Sequence, residues 1–192
     1  MLFNGSSQYL TLPTSSSLQL GSLDFTFEGW MYLIDTTDRT FVYWNGDTGG
    51  DAAVHVRTIS GKWALWISKT GTSWEVQQSA LGTATANTWY HVAVVRNSTN
   101  IRLYINGSDV TGGGYTVTGS LMTTYTLNQI GTYNNGFYFM NGYISNIRLT
   151  LNQALYTANF TPTTSPLTTT SSPRASCSSR PRCPRFARAA QS

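Results

Sequence analysis

The chain has 192 residues, enough for one all-β sandwich whose core needs no covalent staples. Five of its twelve basic residues (Arg174, Arg180, Arg182, Arg185 and Arg188) lie beyond Thr170, so residues 1–170 hold seven basic and eight acidic groups, a net −1. A near-neutral body gives no electrostatic basis for nucleic-acid binding through the folded domain, and both cysteines fall in the last sixteen residues, which excludes a disulfide framework or a cysteine metal site in the body.

Residues 2–5 (LFNG) and 8–12 (QYLTL) predict a strand, an Asn-Gly turn and a returning strand. Residues 23–34 (LDFTFEGWMYLI) predict a long strand. Phe25, Phe27, Gly29 and Met31 share one face of it, and Asp24, Thr26, Glu28, Trp30 and Tyr32 the other. Residues 40–44 form the next strand, closed by Asn45-Gly46 and followed by the loop 45–51 (NGDTGGD). Three meander strands follow at 54–59, 62–69 and 74–79. In the second, Trp63, Leu65 and Ile67 face one way and Ala64, Trp66 and Ser68 the other.

Residues 88–107 (TWYHVAVVRNSTNIRLYING) predict the central hairpin. The first strand is nearly continuous apolar and β-branched; in the second, Ile101, Leu103 and Ile105 alternate with Arg102, Tyr104 and Asn106. Asn106-Gly107 suits a type I′ turn, since both residues tolerate positive φ. Residues 115–117 predict an edge strand, 126–130 a strand that pairs back, and 137–151 the last long strand. The buried set of that last strand changes phase between Ile144 and Ile147, which predicts a β-bulge near Ser145-Asn146. Only residues 152–158 suit a helical turn. Five Asn-Gly pairs punctuate these short strands, the pattern of a sandwich or jelly roll.

The domain is expected to span residues 1–167. Residues 168–192 are Thr, Ser, Arg, Ala and Pro with one aromatic, Phe186, and predict a disordered tail. Its abrupt onset reads as a frame-shifted or vector-derived end, against the alternative of a basic RNA-binding tail. No apolar run approaches the ~18 residues of a membrane span. Met1 to Gly5 enters a strand pattern at once, with no signal peptide.

Two candidate sites stand out. Aromatic rings stack on the apolar faces of sugars while Asn and Asp fix hydroxyls. Trp66, on the face with Ala64 and Ser68, is the tryptophan expected to be exposed. Tyr133, Asn134, Asn135 and Tyr138 surround a turn and are expected to serve with it, whereas Trp30, Trp63 and Trp89 read as core. In the loop after the 40–44 strand, Asn45, Asp47 and Asp51 offer oxygen ligands for calcium, against the alternative of a solvated turn. His91, in the central strand, reads as structural.

Three segments in order resemble the laminin-G-like jelly-roll modules of the concanavalin A-like lectin/glucanase superfamily. They are Asp24-Phe25-Thr26-Phe27-Glu28-Gly29-Trp30; Trp89 to Arg96 (WYHVAVVR) with Leu103-Tyr104-Ile105-Asn106-Gly107; and Gly142-Tyr143-Ile144-Ser145-Asn146-Ile147-Arg148. The opening Phe3-Asn4-Gly5 and the closing Leu155-Tyr156-Thr157 with Phe160-Thr161-Pro162 resemble it too, the latter in the style of phage tail-fibre and bacterial surface modules. The resemblance implies two antiparallel sheets, a concave face, and glycan binding or adhesion, sometimes with calcium. Many such modules carry an acidic pair where this chain has Ser145-Asn146. Glucanases of the superfamily carry Glu-x-Asp-x-x-Glu on one strand. Here only Asp24 and Glu28 share a face, roughly 13 Å apart at about 3.3 Å per residue, too far for a retaining pair at about 5.5 Å or an inverting one at up to about 9.5 Å. Glu28 therefore reads as a structural acid.

The expectation is a two-sheet antiparallel β-sandwich of concanavalin A-like jelly-roll type. Its expected work is non-catalytic carbohydrate binding or adhesion in a virion or cell-surface protein, with glycans and neighbouring protein subunits as partners. A structural interaction module with no sugar ligand, and a glycoside hydrolase, are the alternatives.

Overall fold

The apolar–polar alternation becomes thirteen strands in two antiparallel sheets in the computed structural model, which describes residues 1–47, 51–125 and 127–167. The expected tail at 168–192 and the middle of the 45–51 loop lie outside the described residues. In chain order the strands are β1 (Leu2–Asn4), β2 (Leu10–Leu12), β3 (Phe25–Leu33), β4 (Arg39–Gly46), β5 (Ala52–Ile59), β6 (Lys62–Ile67), β7 (Val76–Gln78), β8 (Thr88–Asn97), β9 (Asn100–Ile105), β10 (Ser108–Asp109), β11 (Tyr115–Thr116), β12 (Leu127–Ile130) and β13 (Asn141–Leu151). Sheet A runs β1-β13-β3-β8-β9-β10, with β11 also on β9; sheet B runs β2-β12-β4-β5-β6-β7.

Four local expectations are corrected. β1 and β2 do not pair as a hairpin: β1 joins β13 in sheet A and β2 joins β12 in sheet B, so the chain crosses between sheets at its start. β12 pairs with β2 and β4 rather than with β11. Residues 137–140 form no strand and instead belong to a loop over sheet B. Residues 152–158 form no helical turn; the helical residues among those described are the 3-10 turn Ser16–Leu18. Among the described residues no helix is long and apolar enough to cross a membrane.

The core lies between the sheets and is built by the expected faces. Phe27 of β3 meets Phe41 and Trp44 of β4 at ring-centroid distances of 5.9 and 5.1 Å, and Trp63 of β6 meets Tyr90 of β8 at 5.2 Å. Burial of each such side chain contributes roughly 1.5–3 kcal/mol. The expected bulge in β13 is present: its register on β3 shifts between Ser145 and Arg148, with Asn146 at φ 49°.

The outer face of sheet A is half covered by the segment 152–164, which runs across it as a strap. Tyr156 and Phe160 stack at 3.5 Å and close over Ala93, Val95 and Tyr104. The strap docks on the β9–β10 turn, where the Phe160 amide donates to the Gly107 carbonyl. Gly107 has φ 77°, and a Cβ there would lie 1.8 Å from the Phe160 carbonyl oxygen, so both the turn and the strap require glycine.

Beneath the strap Glu28 is fully buried. Arg148 donates to its Oε1 at 2.9 and 2.5 Å, the Tyr156 hydroxyl donates to Oε2 at 2.8 Å, and His91 Nε2 lies 3.2 Å from Oε2. Burial works to raise the Glu28 pKa, and the bonds from His91, Arg148 and Tyr156 outweigh it, holding the carboxyl below its ordinary range. The same contact and burial push the Tyr156 phenol up to about 12. A group with a lowered folded-state pKa contributes stability above its unfolded pKa and loses it on acidification. Glu28→Gln is therefore expected to cost on the order of 3 kcal/mol in urea unfolding at neutral pH. The gap from wild type should narrow as the pH falls below the ordinary glutamate value of 4.5.

Candidate functional site

The outer face of sheet B carries the residues that strand alternation turns away from the core. In β5, Val54 and Val56 point inward, so His55 and Arg57 point outward; in β4 Tyr43 does so, and in β6 Trp66. Register lines up Gln129, Tyr43, His55, Trp66 and Gln77 across five strands.

The loop 131–140 then folds back over this row. Its tip is a small turn in which Asn134 (φ 46°) and Asn135 (φ 59°) take the left-handed conformation that asparagine tolerates, and Tyr133 bridges to Phe137. Gln129 pins the tip: the Asn135 amide nitrogen donates to its Oε1 at 3.1 Å, and its own side-chain amide donates to Asn135 Oδ1. Tyr133 lies flat on His55, with centroids 4.9 Å apart and planes 15° apart, and meets Tyr43 edge-on at 5.1 Å. Tyr138 lies 5.6 Å from Tyr133. The Arg57 guanidinium sits between the rings of Tyr138 (4.0 Å) and Trp66 (5.1 Å) and donates to Asp38 at 2.6 Å. Trp74 extends the cluster beyond Trp66 at 5.2 Å.

Trp66, Tyr133, Asn134, Asn135 and Tyr138, chosen from separate parts of the sequence, thus come together. Asn135 acts as a positioning residue, and Asn134 is half-buried in the turn. Phe137 and Tyr138 present the exposed rings, at 58% and 39% exposure, whereas Trp66, expected to be the exposed tryptophan, faces outward but is half-buried under its neighbours. Arg57, Tyr43, His55, Trp74 and Phe137 complete the site and were missed as site residues. The polar-apolar alternation of VHVR in β5 was the signal for His55 and Arg57. Of the three tryptophans expected in the core, Trp63 is there. Trp30 and Trp89 are not: alternation in β3 and β8 puts them on the outer face of sheet A, with Trp89 43% exposed.

The acidic loop opens onto the same face. The Tyr43 hydroxyl donates to the carbonyls of Asp47 (2.9 Å) and Asp51 (2.7 Å), and the Asp51 amide donates to Asp47 Oδ1 at 2.9 Å. Burial and the neighbouring Asp47 raise the Asp51 pKa, and burial and Asp51 raise that of Tyr133. Asn45 is the exception. Its left-handed backbone (φ 45°) breaks the alternation, so that Gly46 lies under the Tyr43 ring, where a Cβ would fall 1.9 Å from it. The Asn45 side chain is buried among Leu18, Leu20 and Asn128: Oδ1 accepts from the Leu20 amide at 3.0 Å and Nδ2 donates to Asn128 Oδ1 at 3.1 Å. Of the expected calcium ligands Asn45, Asp47 and Asp51, the Asn45 side chain is therefore turned away from the loop. Among the described residues no three His, Cys, Asp or Glu side chains converge as metal ligands. Glu28, read from the sequence as a structural acid, lies on the other sheet with both its oxygens hydrogen-bonded beneath the strap.

The family described as the concanavalin A-like lectin/glucanases superfamily matches residues 4–158. The chain belongs to this family. No curated protein matches the sequence. Solved structures of the same fold include a heptameric SAP-like pentraxin from Limulus polyphemus (TM-score 0.60, 15% identity, covering 81% of this chain and 76% of that one). Domain 4 of AbnA, an extracellular arabinanase from Geobacillus stearothermophilus solved with arabinotriose, is similar at TM-score 0.60 and 20% identity over 81% and 71% of the two chains. A putative carbohydrate binding protein from Bacteroides ovatus matches at TM-score 0.57 and 17% identity over 83% and 44%. At these identities the likeness establishes the lectin/glucanase fold, and the site must be argued from this chain's own residues.

His55 tests the electrostatics of the face. It is fully buried, its Nε2 is 3.3 Å from the Thr40 hydroxyl, and burial together with the nearby Arg57 cation holds its pKa well below the ordinary 6.5. The unfolded chain takes up this proton on acidification and the folded one does not, so stability falls as the pH drops below 6.5. His55→Gln is expected to flatten that part of the pH dependence of the thermal midpoint.

Proposed function

We propose that this protein is a non-catalytic glycan-binding or adhesion module that works through the outer face of sheet B. The observation that carries the reading is the convergence on one face of half-exposed rings (Trp66, Trp74, Tyr133, Phe137, Tyr138) with the carboxylates of Asp47 and Asp51 beside them. Ring faces take the C–H side of a sugar by dispersion and hydrophobic contact, and carboxylates accept from its hydroxyls. The Arg57–Asp38 pair is internally neutralised, and His55 is held neutral. Nothing on the face thus demands a charged ligand beyond the acceptors of the acidic loop. Membership of a family that includes lectins, and a fold neighbour solved with arabinotriose, support the same ligand class.

The closing segment's likeness to tail-fibre and surface modules supports placing the domain in a virion or at a cell surface, beside neighbouring protein subunits. Calcium stands outside the proposal, because Asn45 is turned inward and the Asp47 and Asp51 carbonyls already accept from Tyr43.

A broad glycan array with wild type and Tyr138→Ala tests the reading. Wild type is expected to bind neutral glycans equally in calcium and in chelator, without releasing reducing ends. Tyr138→Ala should weaken that binding about tenfold, the equivalent of ~1.4 kcal/mol. Silence of wild type across the array would move the assignment to a structural interaction module, and new reducing ends would move it to a hydrolase.

A further inference from the structure

On the opposite side of the sandwich, the half of sheet A that no described residue of the strap covers carries a second arrangement of rings. Register places Leu2, Tyr143, Tyr32 and Trp89 in one row across β1, β13, β3 and β8, and Ser145, Trp30 and His91 in the next. Tyr32 lies 5.4 Å from Trp89 and 5.8 Å from Tyr143, and the three rings border a hollow of about 220 Å³. Next to it, and sharing Trp89 as a wall, is a groove of about 350 Å³ lined by Trp30, Trp89, Ser145, Asn146 and Thr164.

Two features build this groove. The bulge at Ser145 and Asn146 (φ 49°) breaks the pairing of β13 with β3 and sets an amide and a hydroxyl at the rim. The end of the strap forms the other wall and is fixed there by the Trp30 indole, which donates to the Thr163 carbonyl at 3.2 Å. Trp30 is itself braced edge-on by His91 at 5.4 Å. The wall position of Trp30 is thus set before any ligand arrives, which lowers the ordering cost of binding.

We propose that this groove is a second binding site for a neutral saccharide chain, one ring unit held in each hollow and Trp89 between them, so that a single domain bridges two glycans. The ligand class follows from charge. Among the described residues no Asp, Glu, Lys or Arg lines either hollow, so a charged ligand would lose its hydration with no counter-charge from them in return. Two indoles with one amide and two hydroxyls in the groove, and two phenols beside Trp89 in the hollow, match the apolar faces and hydroxyl rim of a pyranose. The same polar rim disfavours a protein occupant, which must satisfy those groups while covering the neighbouring Leu2 and Ile34. Because the two outer faces point away from each other across the sandwich, this site and the one on sheet B cannot be parts of a single continuous groove. The ligand class, but not the site, rests on the glycan-binding reading proposed above.

The test uses the full chain with the neutral oligosaccharide that binds it most strongly on an array, titrated by calorimetry into wild type, Trp89→Ala and Tyr138→Ala. Tyr143→Ala serves as a second, milder probe of the groove, and the thermal midpoint of each variant checks folding. Wild type is expected to bind close to two equivalents and each variant close to one, and wild type alone should cross-link a polyvalent neutral glycan. One equivalent in wild type, abolished by Tyr138→Ala and untouched by Trp89→Ala and Tyr143→Ala, overturns the second site and leaves the first. One equivalent abolished by Trp89→Ala and untouched by Tyr138→Ala keeps the groove and overturns the sheet B reading. Self-association of wild type that Trp89→Ala and Tyr143→Ala abolish, with no oligosaccharide bound at the groove, overturns the saccharide assignment in favour of a contact between copies.

Discussion

Glu28 is a buried carboxylate at the middle of sheet A, and everything laid over it is held by the need to satisfy it. Isolated burial of such a charge costs several kcal/mol. Arg148 from β13, His91 from β8 and Tyr156 from the strap supply its partners, so one side chain ties two neighbouring strands to a segment 128 residues away in sequence. The arrangement is directional, because apolar residues alone would let the strap slide. With Tyr156 fixed, Phe160 stacks on it and reaches the Gly107 turn, and the strap ends over Trp30. The strap thereby decides how much of sheet A meets solvent.

This divides the sandwich into faces with different work. The inner faces make the core. In the covered half of sheet A, Glu28 is bonded to Arg148, His91 and Tyr156, and Thr26 and Arg102 bond the backbone of the strap. Among the described residues the outer face of sheet B is covered by the 131–140 loop, whose rings lie partly on the sheet and partly in water. Rigid strands position the floor of this surface and a short pinned loop supplies its exposed rings. The Gln129–Asn135 pairing matters here because it fixes the loop by side-chain bonds to the sheet itself.

Much of this was legible in the sequence wherever period-2 alternation acts alone. The core faces of β3, β6 and β9, the Asn106-Gly107 turn and the β13 bulge follow from local pattern, and Trp66 was placed outward on the same ground. Three things were not legible. Strand partners at long range are invisible to local pattern, so adjacent β1 and β2 were read as a hairpin although they belong to different sheets. A single left-handed residue overrides alternation, which is why Asn45 turns inward beneath β4 while Tyr43 meets the acidic loop. Aromatic residues suit both a core and an exposed face, so composition did not separate Trp63 from Trp89. Arg57 is a further case: a 3% exposed arginine has the alternation of a surface residue, and only the rings on either side of it account for its burial.

The central claim is that a neutral glycan meets the ring face of sheet B. The six tryptophans provide six indole N–H reporters, with Trp44 and Trp63 in the core as internal controls. The measurement is a nitrogen-15 correlation spectrum recorded while a neutral oligosaccharide selected on the array is added. The account predicts that the Trp66 and Trp74 indole signals shift in a saturable way while Trp44 and Trp63 stay fixed. Saturable binding that leaves Trp66 and Trp74 unmoved would contradict it.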